Sequence, residues 1–345
     1  MDVEPETKVM KKKILVTGSS GFIGSFLVVG GLERGFQVWA GVRKRSSRKY
    51  LQDSRIQFAE LDFTDSTHLE EQLKQHRMQH GGWDYIIHCA GVTKCLDKAD
   101  FEMGNYWATR LFIETLQQLD MVPEQFLYLS SLSVFGPIHE KDYQPITETD
   151  VPKPDTAYGL SKLHTEEYLA SLRDFPYVIF RPTGVYGPRE RDYFLMIESI
   201  QKHVDFMAGF RRQDLTFVFV KDLVQAIYLA IDKQVIRRSY FVTDGDVYSS
   251  RTFSDLIRKE LGNPWMFRFI CPLWLLKVIS FVSENVAKLL RKPSTLNCDK
   301  YKIMRQRNWR CDITPLEKEL GYRPEYPLER GVKEIIAWYK KEGWL

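Results

Sequence analysis

A chain of 345 residues is long enough to bury one large core or to divide into two unequal domains. Its 49 Lys and Arg balance 45 Asp and Glu to a net charge of +4, which argues against nucleic acid as the main partner. Five scattered cysteines, Cys89, Cys95, Cys271, Cys298 and Cys311, form no C-x-x-C pair, so neither a disulfide framework nor a zinc site is indicated and a cytoplasmic setting is expected.

Residues 1–11 read as a polar, flexible leader without the apolar core of a secretory signal. Ile14-Leu15-Val16 then predicts a strand, followed by the turn Thr17-Gly18-Ser19-Ser20-Gly21-Phe22-Ile23-Gly24 and a helix from Ser25. Strand, glycine turn and helix are what a dinucleotide fingerprint requires: the glycines let backbone approach a pyrophosphate, and the helix start offers free N–H groups to it. Further strands are predicted at 37–43, 56–61, 85–89, 126–129 and 177–180, with helices at 66–79, 105–119 and 156–172 between them. Apolar strands alternating with helices imply a parallel, doubly wound α/β sheet covered on both faces, with ligand beyond the carboxyl ends of its strands.

Beyond Arg181 the alternation loosens. The expected division is a dinucleotide-binding domain over 1–181 and a smaller, mainly substrate-binding region over 182–345. A segment of the second part, 238–242, is expected to return to the sheet. Asp222 reads as a helix N-cap, and Asn105 precedes a long helix where it could cap or support the site. The most apolar stretch, 269–282, contains Pro272 and Lys277 and falls short of a membrane span. In the helix predicted over 274–290, Leu275, Val278, Ile279, Val282, Val286, Leu289 and Leu290 make one stripe. That stripe predicts packing on the core; its sharper readings are a substrate-pocket wall or a helix resting on a membrane surface.

Tyr158 and Lys162, four residues apart on a helix, project from one face. A tyrosine ionises near about 10, and an adjacent ammonium would lower that value, making the phenol a proton donor and acceptor for an alcohol or ketone. Ser131 lies at a strand end, where its hydroxyl could polarise a substrate oxygen; Ser130 and Ser133 compete for this role. The seven histidines show no metal-ligand spacing, and no metal is expected.

Taken together with His88-Cys89-Ala90-Gly91, Leu129-Ser130-Ser131-Leu132-Ser133-Val134-Phe135-Gly136 and Arg181-Pro182-Thr183-Gly184-Val185-Tyr186-Gly187-Pro188, these motifs stand in the order of a known family. The chain resembles an extended short-chain dehydrogenase/reductase of the NAD-dependent epimerase/dehydratase superfamily. Its pattern is most similar to the dihydroflavonol-reductase and 3β-hydroxysteroid-dehydrogenase branch. The resemblance implies a Rossmann-type fold, with Tyr158 as acid/base, Lys162 as the ribose-binding lysine and Ser131 as the catalytic hydroxyl. It places the cofactor against Gly18, Ser20, Gly21, Phe22, Ile23 and Gly24, then Asp62 and Phe63, Ala90 and Gly91, and Pro182 and Val185. Thr93 and Ser133 are implied substrate contacts.

NAD-specific members end the second strand with an acid; here, 24 residues after Gly18, stands Val42, followed by Arg43. A guanidinium there suits a 2′-phosphate, so NADP is expected before NAD. The function expected is hydride transfer between the nicotinamide and a carbonyl or secondary alcohol of a small, hydrophobic substrate. The alternatives are a nucleotide-sugar epimerase or dehydratase with a retained cofactor, whose diphosphate Arg189, Arg191, Arg211 and Arg212 could meet, and a non-catalytic dinucleotide sensor. The resemblance also implies a homodimer formed through the helices at 105–119 and 156–172.

Overall fold

The computed structural model describes residues 11–290, 294 and 296–345. Apart from residue 11, the expected flexible leader lies outside them.

The apolar runs near the start of the chain form β1 (Lys13–Thr17), β2 (Gln37–Val42), β3 (Gln57–Glu60) and β4 (Tyr85–His88). Next come β5 (Gln125–Leu129), β6 (Tyr177–Pro182) and β7 (Arg238–Val242). All seven pair in parallel in the order β7-β6-β5-β4-β1-β2-β3. The order reverses beside β1, so its carboxyl end opens on the crevice where doubly wound sheets take ligand. The expected return of 238–242 is met by β7, with Arg238 opposite Val178 and Val242 opposite Pro182.

Both faces of the sheet are covered. On one lie α1 (Phe22–Glu33), through Leu27 and Val28, and the helix Val220–Asp232, through Leu223 and Ile227. On the other lie α2 (Ser66–His80), α3 (Ala108–Gln118) and α4 (Ala157–Ser171), which contribute Leu69, Phe112, Ile113 and Leu169. A third apolar cluster joins Tyr186, Ile197, Phe219, Phe253, Ile335 and Tyr339, all from beyond β6.

Three expectations need correction. Asn105 does not precede the helix: Ala99–Phe101 already turns helically, and Asn105 sits inside a π-helical turn, Glu102–Trp107, that runs into α3. Asp222 is no N-cap, because its helix begins at Val220; its carboxylate instead accepts from the N–H groups of Glu325 and Tyr326 (both 3.0 Å). The apolar stripe of the helix Leu273–Leu289 does not pack on the core: Val278, Ile279, Val282, Val286 and Leu289 are exposed, while Leu276 and Ser280 are buried.

Candidate active site

At the end of β1 the backbone enters the left-handed region at Gly18 (φ +65°). A Cβ there would lie 2.7 Å from the carbonyl oxygen of Cys89, and one at Gly24 would lie 2.3 Å from that of Gly18. Only glycine permits this close turn. The start of α1 carries neither a side-chain cap nor an acidic residue in its first turn, leaving its N–H groups and dipole to an anion.

The turn floors a cleft of about 750 Å³. Of the residues implied as cofactor contacts, Gly18, Ser20, Gly21, Arg43, Asp62, Phe63, Ala90 and Gly91 line it. Phe22, Ile23, Gly24, Tyr158, Lys162, Pro182 and Val185 are not on its wall. Gly24 acts from behind, by letting α1 come up against the turn. Asp62 accepts from the N–H (3.0 Å) and hydroxyl (2.6 Å) of Thr64, bonds that hold its carboxyl below the usual range, with Arg43 adding to the effect. Arg43 meets Ser46 through its backbone N–H (3.0 Å), and both line the cleft. A tight glycine cradle under an uncapped helix start fits a dinucleotide pyrophosphate.

A second cavity, of about 670 Å³, lies against Thr93, Ser133, Tyr158 and Val185. Ala90-Gly91-Val92 line the first cavity and Thr93 the second, so one loop joins the two. That loop is pinned by Asn105, whose side chain accepts from Val92 N–H (2.8 Å) and donates to Val92 C=O (3.1 Å) and to Ser161 (2.9 Å). From below, buried His88 bridges the hydroxyls of Thr17 and Thr109 (3.0 Å each), and Ala90 N–H donates to Thr17. Burial, with help from Lys162, pushes His88 down to about 3, so it bridges as a neutral ring.

The helix carrying Tyr158 begins where Thr156 caps Gly159 N–H (3.0 Å). Lys162 is buried one turn on and donates to the carbonyl of Leu129 (2.9 Å); burial pushes its ammonium down to about 8. Burial likewise pushes the Tyr158 phenol up to about 12, and the neighbour that draws it back is the Ser131 hydroxyl. Lys162, expected to lower the phenol, is not among the groups that shift it; one of its donors goes to β5. Ser131 also accepts from Ser133 N–H and donates to the Ser133 hydroxyl (both 3.1 Å), linking phenol and cavity wall.

Ser130 is withdrawn from the competition. Its hydroxyl goes to Glu166, which Arg181 holds through Nε (3.0 Å) and a terminal nitrogen (2.7 Å). The role of Glu166 was not read from the sequence, though its position four residues after Lys162 sets it on the same helix face. Tyr193, Asp192 and Lys300, also in the second cavity, come from distant segments and carried no sequence signal.

The arginines considered for a diphosphate are elsewhere. Arg189 is stacked between Phe26 and Tyr50 (4.4 Å from each ring) and donates to Ser25 (2.8 Å). Arg212 is held by Asp214 (2.7 and 2.8 Å), and Arg191 and Arg211 are exposed; none of the four lines the second cavity.

The NAD dependent epimerase/dehydratase family model matches residues 14–242. The chain belongs to that family, within the extended short-chain dehydrogenase/reductases. It is 26% identical over 336 residues to a UDP-glucose 4-epimerase of Vibrio cholerae, covering 94% of each chain. It is 24% identical over 352 residues to a decarboxylating sterol-4-alpha-carboxylate 3-dehydrogenase of Dictyostelium discoideum, covering 94% of this chain and all of the relative (100%). In fold it is similar to the UDP-glucose 4-epimerase of Thermotoga maritima solved with UDP-glucose, at TM-score 0.75 and 22% identity, covering 96% of this chain and 99% of that one.

Proposed function

We propose that the protein transfers a hydride between a nicotinamide dinucleotide and the carbonyl or secondary alcohol carbon of a small, largely apolar substrate. When bound along the glycine turn, the dinucleotide supplies or accepts that hydride. The observation that carries the reading is the placing of Tyr158 and Ser133 on the cavity that one loop joins to the cofactor cleft.

Tyr158 is the acid/base. With its phenol pushed up to about 12 by burial, it holds a proton at neutral pH and can give it to the oxygen of a carbonyl being reduced. In the reverse direction tyrosinate removes the proton of the alcohol. Ser131 lies close enough to draw the phenol down and, through Ser133, reaches the side from which a substrate oxygen would approach. Lys162 anchors the helix to β5 and lies beside Gly91, within reach of a ribose hydroxyl.

NADP is the preferred cofactor in this reading. Val42 removes the carboxylate that would repel a 2′-phosphate, and Arg43 faces the same cleft with Ser46. A homodimer through α3 and α4 and a cytoplasmic setting complete the proposal. The five free cysteines support a reducing compartment.

The likeness to UDP-glucose 4-epimerases favours a second reading, sugar-nucleotide conversion with retained cofactor. The charges of the second cavity weigh against it: among the described residues its lysines, Lys94 and Lys300, both pair with Asp192. A diphosphate would have to displace that carboxylate. NADPH absorbance followed with steroid, flavonoid and aliphatic ketones, beside product analysis of UDP- and GDP-sugars, separates the two. Ketone-dependent NADPH consumption supports the reductase; sugar conversion without net consumption overturns it.

A further inference from the structure

Two neighbouring elements of this chain are built inside out. In the parallel ribbon formed by Val204–Ala208 and Phe267–Cys271, Val204 stands opposite Phe267 and Phe206 opposite Phe269. All four side chains are exposed, and the rings of Phe206 and Phe269 lie 6.2 Å apart. The intervening Asp205 is buried, held by Arg251 (3.2 Å), Arg268 (3.4 Å) and Ser254 (3.2 Å). The ribbon therefore turns its ion pairs inward and its aromatic rings outward.

One proline further on, the helix Leu273–Leu289 repeats the inversion. Trp274, Phe281 and Leu289 are 69%, 62% and 83% exposed, on a stripe completed by Val278, Val282 and Val286. Its inner side carries one apolar residue, Leu276, beside Ser280, fully buried, and Glu284, which accepts from Cys298 N–H (2.9 Å). Ribbon and helix are packed together, since a Cβ on Gly209 would lie 3.0 Å from Leu273. Phe210 and Trp265, at the ribbon's ends, are 71% and 74% exposed. So large an outward apolar surface marks an interaction site.

The charges around it select the partner. Within 202–212 and 262–290 the exposed charged residues are all cations: Lys202, Arg211, Arg212, Arg268, Lys277 and Lys288. Three of them, Arg212, Arg268 and Lys288, hold carboxylates, of which Asp255 beside Arg268 is exposed and Asp205 and Glu284 are turned inward; among the described residues Lys202, Arg211 and Lys277 make no ion pair and form the cationic rim. In an isologous contact between two copies this cationic rim would meet itself. Against an anionic bilayer the same rim is attracted to headgroups while the rings enter the acyl boundary.

We propose that the protein docks peripherally on an anionic lipid surface through the ribbon and the helix Leu273–Leu289. Among the described residues no helix is long and apolar enough to cross a membrane, so the contact is in-plane. Val204 and Phe206 also line the second cavity, which sets its mouth at this surface. A bilayer-dissolved alcohol or ketone then enters without crossing water. That entry route rests on the proposed hydride transfer; the docking itself does not.

The test is flotation of the full chain, without substrate, with vesicles of phosphatidylcholine and phosphatidylglycerol in equal parts, beside phosphatidylcholine alone. The protein is expected to float with the mixed vesicles, to bind phosphatidylcholine alone more weakly and to be released by salt. The triple variant Trp274→Ser, Phe281→Ser, Leu289→Ser should lower the affinity for mixed vesicles about tenfold or more. The pair Lys202→Glu, Lys277→Glu should lower it without touching an apolar side chain. A parent protein that stays at the bottom of the gradient overturns the proposal. So does vesicle binding unaltered in both variants, or a parent dimer that fails to float and that the triple variant converts to monomer.

Discussion

Glu166 and Arg181 are joined by two short hydrogen bonds beneath the serine turn, with 5% and 12% of their side chains exposed. The pair ties α4, which carries Tyr158 and Lys162, to β6, while Glu166 also takes the hydroxyl of Ser130. Arg181 lies over the rings of Phe135 and Phe241 (5.2 and 5.5 Å), so a guanidinium left alone there is poorly hydrated. Glu166→Ala is expected to cost about 3–5 kcal/mol, because it strands a buried charge. Joint replacement of both residues by apolar side chains should cost less. Chemical denaturation of the two variants measures the difference, and a near-neutral single variant would show that the pair is not what holds the helix.

In the proposed hydride transfer the phenol of Tyr158 would set the pH dependence. Below about 12 it carries its proton, so the fraction of tyrosinate grows with each unit of pH up to that value. With saturating substrates and chemistry rate-limiting, oxidation should climb about tenfold per pH unit between about 7 and 9, while reduction stays flat over the same window. Ser131 draws the phenol down, so Ser131→Ala should move the oxidative limb to higher pH as well as slow it. Initial rates in both directions across that window test this, and a flat oxidation profile would remove Tyr158 as the base.

Arg43 lines the cofactor cleft on the loop after β2, where the sequence lacks an acid. Arg43→Ala should raise KM for NADPH by about tenfold or more, the loss of a charged hydrogen-bonded contact, and change KM for NADH little. Equal, small effects on both would sink the NADP preference.

The sheet and the glycine turn were legible because their signals are local. An apolar run of strand length, a turn that only glycine can make and a 3.6-residue period each stand in a few consecutive positions. In the candidate site, motif and cavity coincide at Tyr158 and the Ala90-Gly91 loop, whereas Ser131 lines neither cavity and reaches the second through Ser133. The site was not legible where distant segments meet: Glu166 with Ser130 and Arg181, or Lys94 and Lys300 with Asp192. Asn105 was noticed but misplaced, since a π-helical turn shifts the face a side chain presents and leaves no mark in periodicity. The helix Leu273–Leu289 failed for another reason. Amphipathic spacing identifies an apolar stripe but not which side of it the protein occupies; here the protein takes the side of Leu276 and Ser280.

Tyr158 borders the second cavity, proposed to take substrate, without lining the cleft over the glycine turn. Tyr158→Phe should therefore separate chemistry from cofactor binding. NADPH dissociation constants measured by fluorescence, beside single-turnover rates with a ketone accepted by the parent protein, are the direct comparison. The rate should fall by about 10²–10⁴ with the dissociation constant nearly unchanged. A variant that turns over at the parental rate would contradict the assignment of Tyr158 as the acid/base.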